Sequence, residues 1–184
     1  DTAAWVARAQ LEKKANLLSH IPQLQFLRDL PPEDKIFTRL GENMIENRLE
    51  TGRVINAQNI VAEDCFCVIE EGLLYKQRIV DFTNFNKNDM KINTKNQHQF
   101  PINLPPGKHT VTIKKLGPKT MFPDPTLKDY ISYPFSLVVV EPVTFYALKQ
   151  SDLTSMLLNA HIERIRNSVR DEPTDDEVIQ MHIE

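Results

Sequence analysis

The stretch Leu116-Gly117-Pro118-Lys119-Thr120-Met121-Phe122-Pro123-Asp124 places a cation and a carboxylate beside a glycine-opened turn, and Tyr133-Pro134-Phe135-Ser136 begins nine positions after the acid. A carboxylate at Asp124 can accept a hydroxyl, and Lys119 can reach an anion as a point charge on a long stem. The same stretch also lacks much of what an anion needs. Pro123 has no amide proton to donate and a fixed φ, and Tyr133 has neither a charge nor a bidentate fork.

Other reactive residues form no constellation. His20, His98, His109, His161 and His182 are scattered and pair at no metal-ligand spacing, so no metal and no cofactor is expected. Ser, His and Asp occur without a Gly-x-Ser-x-Gly elbow, the five glycines form no phosphate loop, and nothing sets Asp124 and Asp129 across a shared substrate. No catalytic residue is assigned, and the chain does not read as an enzyme. Cys65 and Cys67 lie two apart in an apolar run, where a strand points both to one face and strain opposes pairing them, so both are expected to be reduced.

Twenty-two Lys and Arg against 25 Asp and Glu leave a net charge of -3, with the basic residues dispersed, which argues against a nucleic-acid partner. No run reaches the roughly 18 apolar residues of a membrane span, and no secretory signal opens the chain. A cytoplasmic location is expected, with the cytosolic side of a membrane, a cilium or a flagellum open to it through a parent protein. The first residue is Asp1 rather than Met, from which we expect a segment of a longer chain.

These groups must be positioned by a helix-flanked β unit. Thr2 to Ser19 has no Gly or Pro and carries Leu11, Ala15 and Leu18 at helical spacing, so residues 1–19 are expected to hold an N-terminal helix. Ile21-Pro22 breaks it, and Leu24, Phe26, Leu27 and Leu30 form an apolar connection. Pro31-Pro32-Glu33-Asp34 then opens a second helix with Ile36, Phe37, Leu40, Met44 and Ile45 on its buried face. From Arg48 short apolar runs cut by turn residues predict antiparallel strands at 54–55, 65–69, 73–80, 109–115, 135–140 and 143–148, and the Asn-rich stretch 81–99 reads as an inserted polar loop. Asp152 to Val169 returns to helix with Ser151 as its cap, Leu153, Leu157 and Ala160 on one stripe and Ile162, Ile165 and Val169 beside it. Beyond Pro173 a Thr174–Glu177 capping box starts a short terminal helix within 171–184.

The order helix, helix, β-rich middle, helix resembles the cyclic-nucleotide-binding domain family, and four blocks carry the resemblance between about Leu18 and Val169. Ile21 to Leu27 is similar to the family's entry "I-P-L-F-x-x-L", and Glu50-Thr51-Gly52-Arg53-Val54-Ile55 to its "x-x-G-x-x-I". Asp64 to Gly72 is similar to "D-x-F-Y-I-I-x-x-G", with Gly72 at a turn that takes positive φ. The stretch Leu116 to Ser136 resembles the phosphate-binding cassette, in which a Glu and an Arg stand nine apart. The resemblance implies an α+β fold: an antiparallel, jelly-roll-like β-roll over residues 20–170, flanked by N-terminal and C-terminal helices.

In the family the phosphate sits on backbone amides at a short helix, the Arg neutralises it and the Glu takes the ribose hydroxyl. The resemblance therefore implies ligand-contacting positions at Gly117, Lys119, Phe122, Pro123, Asp124, Tyr133, Pro134 and Ser136. Their residue types differ from the family's. Pro123 stands at a Gly, Asp124 at the Glu and Tyr133 at the Arg, while Pro134 and Phe135 replace small residues that leave room for the nucleotide. Loss of the Arg alone removes about 3 to 5 kcal/mol of phosphate binding. The expectation is a non-catalytic regulatory or protein-interaction module that has lost cyclic AMP and cyclic GMP binding. Its partner would be a protein or the remainder of a parent chain. The rival is a sensor for a purine nucleoside or a non-canonical cyclic nucleotide.

Overall fold

A computed structural model describes residues 1–59, 65–83, 106–122, 132–168 and 173–183. It consists of α1 (Thr2–Ser19), 3-10 segments at Pro22–Asp29 and Pro32–Asp34, α2 (Ile36–Glu42), strands β1 (Ile45–Leu49), β2 (Val54–Asn56), β3 (Cys65–Asp81), β4 (Lys108–Leu116), β5 (Met121–Phe122) and β6 (Ser136–Lys149), then α3 (Gln150–Met156), α4 (Asn159–Ser168) and α5 (Asp175–Ile183).

The sheet is wholly antiparallel, an antiparallel β-roll with helices at both chain ends. Its path runs β1-β6-β3-β4, with β2 added to β6 and β5 to β3. The two long strands serve two ends of the roll. Near the helices, Cys65–Ile69 of β3 pairs with Phe145–Lys149 of β6, with β1 and β5 outside them. At the far end, Leu74–Gln77 pairs with Ser136–Val139, with β2 and β4 outside.

The join between the two ends explains why the sequence suggests four strands where two exist. The runs 65–69 and 73–80 fuse into β3, and 135–140 and 143–148 fuse into β6, because ladder pairing continues past the interruptions through register shifts at Ile69/Glu71, Glu71/Leu73 and Leu73/Leu74. Gly72 does take a positive φ of 100°, yet it lies inside a strand rather than in a turn between two. A Cβ there would stand 2.3 Å from the Pro142 carbonyl oxygen and 2.6 Å from the Val143 Cα. A bulge of this kind bends the strand that carries it and increases its local twist.

The helical end is buried on both faces, which is why Phe66 to Ile69 forms an unbroken buried run. Phe66, Val68, Tyr146 and Leu148 pack with Leu18, Ile21, Leu24, Leu27, Leu40, Leu153, Ile162 and Ile165 of the helical layer. Their alternate neighbours Cys67, Ile69, Val143 and Phe145 face the roll interior with Leu74, Leu116, Phe122, Tyr133, Phe135, Leu137 and Val139. Cys67 is buried and Cys65 half-buried.

The helical expectations need several corrections. The prolines at 31 and 32 start a separate 3-10 turn, which Lys35 closes at φ 46°, and α2 begins only at Ile36. Ile45 does not line the helix. Asn43 ends α2 and Ile45 opens β1 opposite Ala147, exposed, because backbone pairing with β6 outweighs helical periodicity. Gly41 lets α2 approach α1, since a Cβ there would meet Lys14 Cβ at 3.3 Å and Leu11 Cδ1 at 3.4 Å. The single helix expected from Asp152 is two helices. Leu157 turns extended between them at ψ 150°, and Ala160 ends up exposed. Lys149 rather than Ser151 occupies the cap position, without a side-chain cap bond. Val169 and the polar stretch from residue 84 lie outside the described residues.

Candidate functional site

In the far end of the roll, the alternation Leu74, Lys76, Arg78, Val80 puts four β3 side chains on the inward face while Tyr75, Gln77 and Ile79 face outward. Two of the four inward residues are cations, and both are nearly sealed from solvent: Lys76 is 6% and Arg78 4% exposed. Opposite them lies the segment Tyr133 to Ser136. Phe135 has no exposed surface and Tyr133 only 1%, with their ring centroids 5.7 Å apart. The Lys76 ammonium stands 4.3 Å from the Phe135 ring centroid, where the ring face attracts it.

The backbone of this segment is tied down by the chain itself. The Asn59 N–H donates to the Tyr133 carbonyl at 2.7 Å, and Arg78 Nε donates to the Pro134 carbonyl at 2.6 Å. The Ser136 hydroxyl oxygen accepts from the Gln58 N–H at 2.9 Å. Gln58 in turn clasps β3 where β6 has ended: its Oε1 accepts from the Ile79 N–H at 2.6 Å and its Nε2 donates to the Ile79 carbonyl at 3.1 Å. A side-chain amide here bonds the β3 backbone beyond its last pair with β6.

The expected ligand positions thus separate. Tyr133, Pro134 and Ser136 come together at the wall of the roll. Phe122 is buried in the interior, edge-on to Phe145 at 5.3 Å. Gly117 and Lys119 belong to the turn from β4 to β5. Lys119 takes φ 65° and its N–H donates to the Ile69 carbonyl at 2.9 Å, while the Ile69 N–H donates to the Thr120 carbonyl at 3.0 Å. The Lys119 side chain is exposed, and a Cβ on Gly117 would meet nothing within 4 Å. Pro123 and Asp124, as well as Asp129, lie outside the described residues.

Lys76 and Arg78 are the residues that reading by family motif overlooked. The signal was present: alternation anchored on Leu74 places both on the buried face. Arg78 also reaches the C-terminal helix, for its Nη1 donates to the Pro173 carbonyl and lies 3.5 Å from Asp175 Oδ1.

A second buried polar group fastens α1 to the outside of the roll. Tyr146, fully buried, donates to Glu70 Oε2 at 2.6 Å, and Lys13 of α1 forms an ion pair with the same carboxylate. Burial pushes the Glu70 carboxyl up, but the hydrogen bonds from Lys13 and Tyr146 together outweigh it and leave the group below its ordinary value. The Tyr146 hydroxyl is raised, first by burial and then by donating to Glu70. Lys14 donates to the Met44 carbonyl at 2.9 Å and completes the anchor.

Among the described residues no group of three His, Cys, Asp or Glu could hold a metal ion, and no helix is long and apolar enough to cross a membrane. The described part of this end of the roll is a wall of buried aromatic rings and two buried cations.

No family model matches the chain, and neither does any curated protein sequence. Solved structures do. The cAMP-bound regulatory domain of Toxoplasma gondii protein kinase A is similar at TM-score 0.62 and 12% identity, over 89% of this chain and 51% of that one. The regulatory subunit of a cAMP-independent protein kinase A from Trypanosoma brucei gives TM-score 0.58 and 15% identity, over 97% and 53%. The catabolite activator protein of Thermus thermophilus gives 0.51 and 17%, over 77% and 54%. The chain spans about half the length of each of these three. At such identities the likeness shows the fold.

Proposed function

We propose that this cyclic-nucleotide-binding fold works as a non-catalytic regulatory or protein-interaction module that has given up binding cyclic AMP and cyclic GMP. The observation that carries the reading is the Tyr133–Ser136 segment. Two fully buried aromatic side chains stand where the family resemblance expects an arginine and a small residue, and the chain's own donors occupy the adjoining backbone. A phosphate entering there would have to displace packed rings and find a charge that Tyr133 does not supply. Several of the similar structures are regulatory proteins, and the chain matches about half of their length, which supports a module acting on a protein partner or on the rest of a longer chain.

Thermal denaturation with added nucleotide tests this. A ligand at 100 times its Kd adds about 2.7 kcal/mol, or roughly 5 to 10 °C for a chain of this size. Millimolar cyclic AMP and cyclic GMP are expected to leave the transition unmoved, and a rise of that size overturns the proposal. A second reading, a sensor for a purine nucleoside or a non-canonical cyclic nucleotide, is favoured by the two cations on the inner face of β3 and by the likeness to a cAMP-independent regulatory subunit. A rise with adenosine, inosine or another cyclic nucleotide, without one for cyclic AMP or GMP, selects it.

A further inference from the structure

Helix α5 closes the far end of the roll against the inward-facing side of β3 and β4. Val178 and Ile179 are buried on Val80, Phe82 and Val111, and Phe82 lies between His109 and His182 at 4.6 and 5.7 Å. The start of α5 is fixed by its capping box: the Glu177 N–H donates to Thr174 Oγ1 and the Thr174 N–H to Glu177 Oε2, both at 3.3 Å. That box holds the Pro173 carbonyl and the Asp175 carboxylate against Arg78. The same guanidinium donates to the Pro134 carbonyl on the wall segment.

A guanidinium stays charged at any ordinary pH and must keep its donors satisfied when buried. If α5 lifts, Arg78 loses two of its acceptors, and water or a new anion must follow it into the interior. The remaining contact, with Pro134, sits next to Phe135 and Tyr133, so the disturbance reaches the ring plug directly. We infer that α5 is a ligand-independent latch: through Arg78, docking of the C-terminal helix and closure of the Tyr133–Ser136 wall are one cooperative event, and release of the helix opens the roll. The chain's own carbonyl and carboxylate take the place at Arg78 that an external anion would need. The dock itself suits a helix with an acidic first turn followed by two adjacent apolar residues, so a partner carrying that pattern is the kind that could exchange with α5.

The inference rests on the proposed function only for its regulatory use. The coupling is measurable whether or not a nucleotide binds, so the two can fail separately. Backbone hydrogen exchange on the full chain tests it. The pair Val178→Ser and Ile179→Ser weakens the α5 dock without touching Arg78. It should speed exchange at 132–137 by about tenfold or more, together with 80–83 and 109–113. Arg78→Gln should speed exchange at 132–137 and abolish the further effect of the paired serines there. A peptide of residues 173–184 added to the serine variant should restore protection at both places. The inference is overturned if the serine pair exposes 80–83 and 109–113 while 132–137 keeps its native exchange, a result that stays readable even if Arg78→Gln does not fold.

Discussion

Phe135→Ala is the substitution that separates a plugged roll from an open one. The ring has no exposed surface, packs within 5.7 Å of the Tyr133 ring and receives the Lys76 ammonium at 4.3 Å. Truncating a buried phenylalanine in a close-packed interior costs about 3 to 5 kcal/mol, from lost transfer energy and the cavity left behind. The buried lysine also loses its ring partner, a contact worth up to about 2 kcal/mol when desolvated. A total near 4 to 6 kcal/mol corresponds to a fall in Tm of about 10 to 20 °C at this chain length. Differential scanning calorimetry of wild type and variant reads it. A fall below about 3 °C would refute the packing argument, because an aromatic ring lining an open pocket gives up little when it is removed. That outcome would restore room for a ligand beneath the wall and weaken the case against nucleotide binding.

Two further perturbations probe the parts that hold this wall in place. Gly72→Ala should prevent folding or lower stability severely, since its Cβ would press on backbone atoms of Pro142 and Val143 as well as adopting φ 100°. Gly52→Ala, at φ 93° with nothing within 4 Å, should cost only about 1 to 2 kcal/mol of backbone strain, and equal denaturation midpoints for the two variants would contradict the close-approach argument. Tyr146→Phe should lower stability at neutral pH by about 1 to 3 kcal/mol by removing a donor from the partly buried Glu70 carboxylate. Because the folded Glu70 value lies below the unfolded one, its contribution is complete above the unfolded carboxyl range and disappears as pH falls through the folded value. Urea titrations should therefore show the gap between wild type and Tyr146→Phe closing in acid, and a gap constant down to pH 3 would argue against a charged Glu70 as the acceptor.

Local signals in the chain sufficed where local physics decides. The absence of Gly and Pro from Thr2 to Ser19 marks α1 at the bounds found, and the Thr174–Glu177 pattern forms the capping box it suggests. The run His109–Lys115 is β4 to within a residue at each end. The family blocks led to the right fold and to Tyr133, Pro134 and Ser136 as a connected segment. They passed over Lys76 and Arg78, because those residues match no motif and announce themselves only by standing on Leu74's side of a strand.

What failed to show in the sequence depended on partners remote along the chain. Ile45 left helical register for a place opposite Ala147, and the pairs of short strands fused because ladders on both sides carried them past Gly72 and Pro142. The sequence by itself determined the helix-flanked antiparallel roll, since amphipathic period, caps and turn residues act over a few positions. It also determined that residue 133 is a tyrosine, which carries no arginine-type charge. Only the tertiary structure decided that the rings of Tyr133 and Phe135 are buried in the roll. That wall combines rings at 133 and 135, cations at 76 and 78, Gln58 and the C-terminal helix, and burial and hydrogen-bond satisfaction exist only once those distant segments meet.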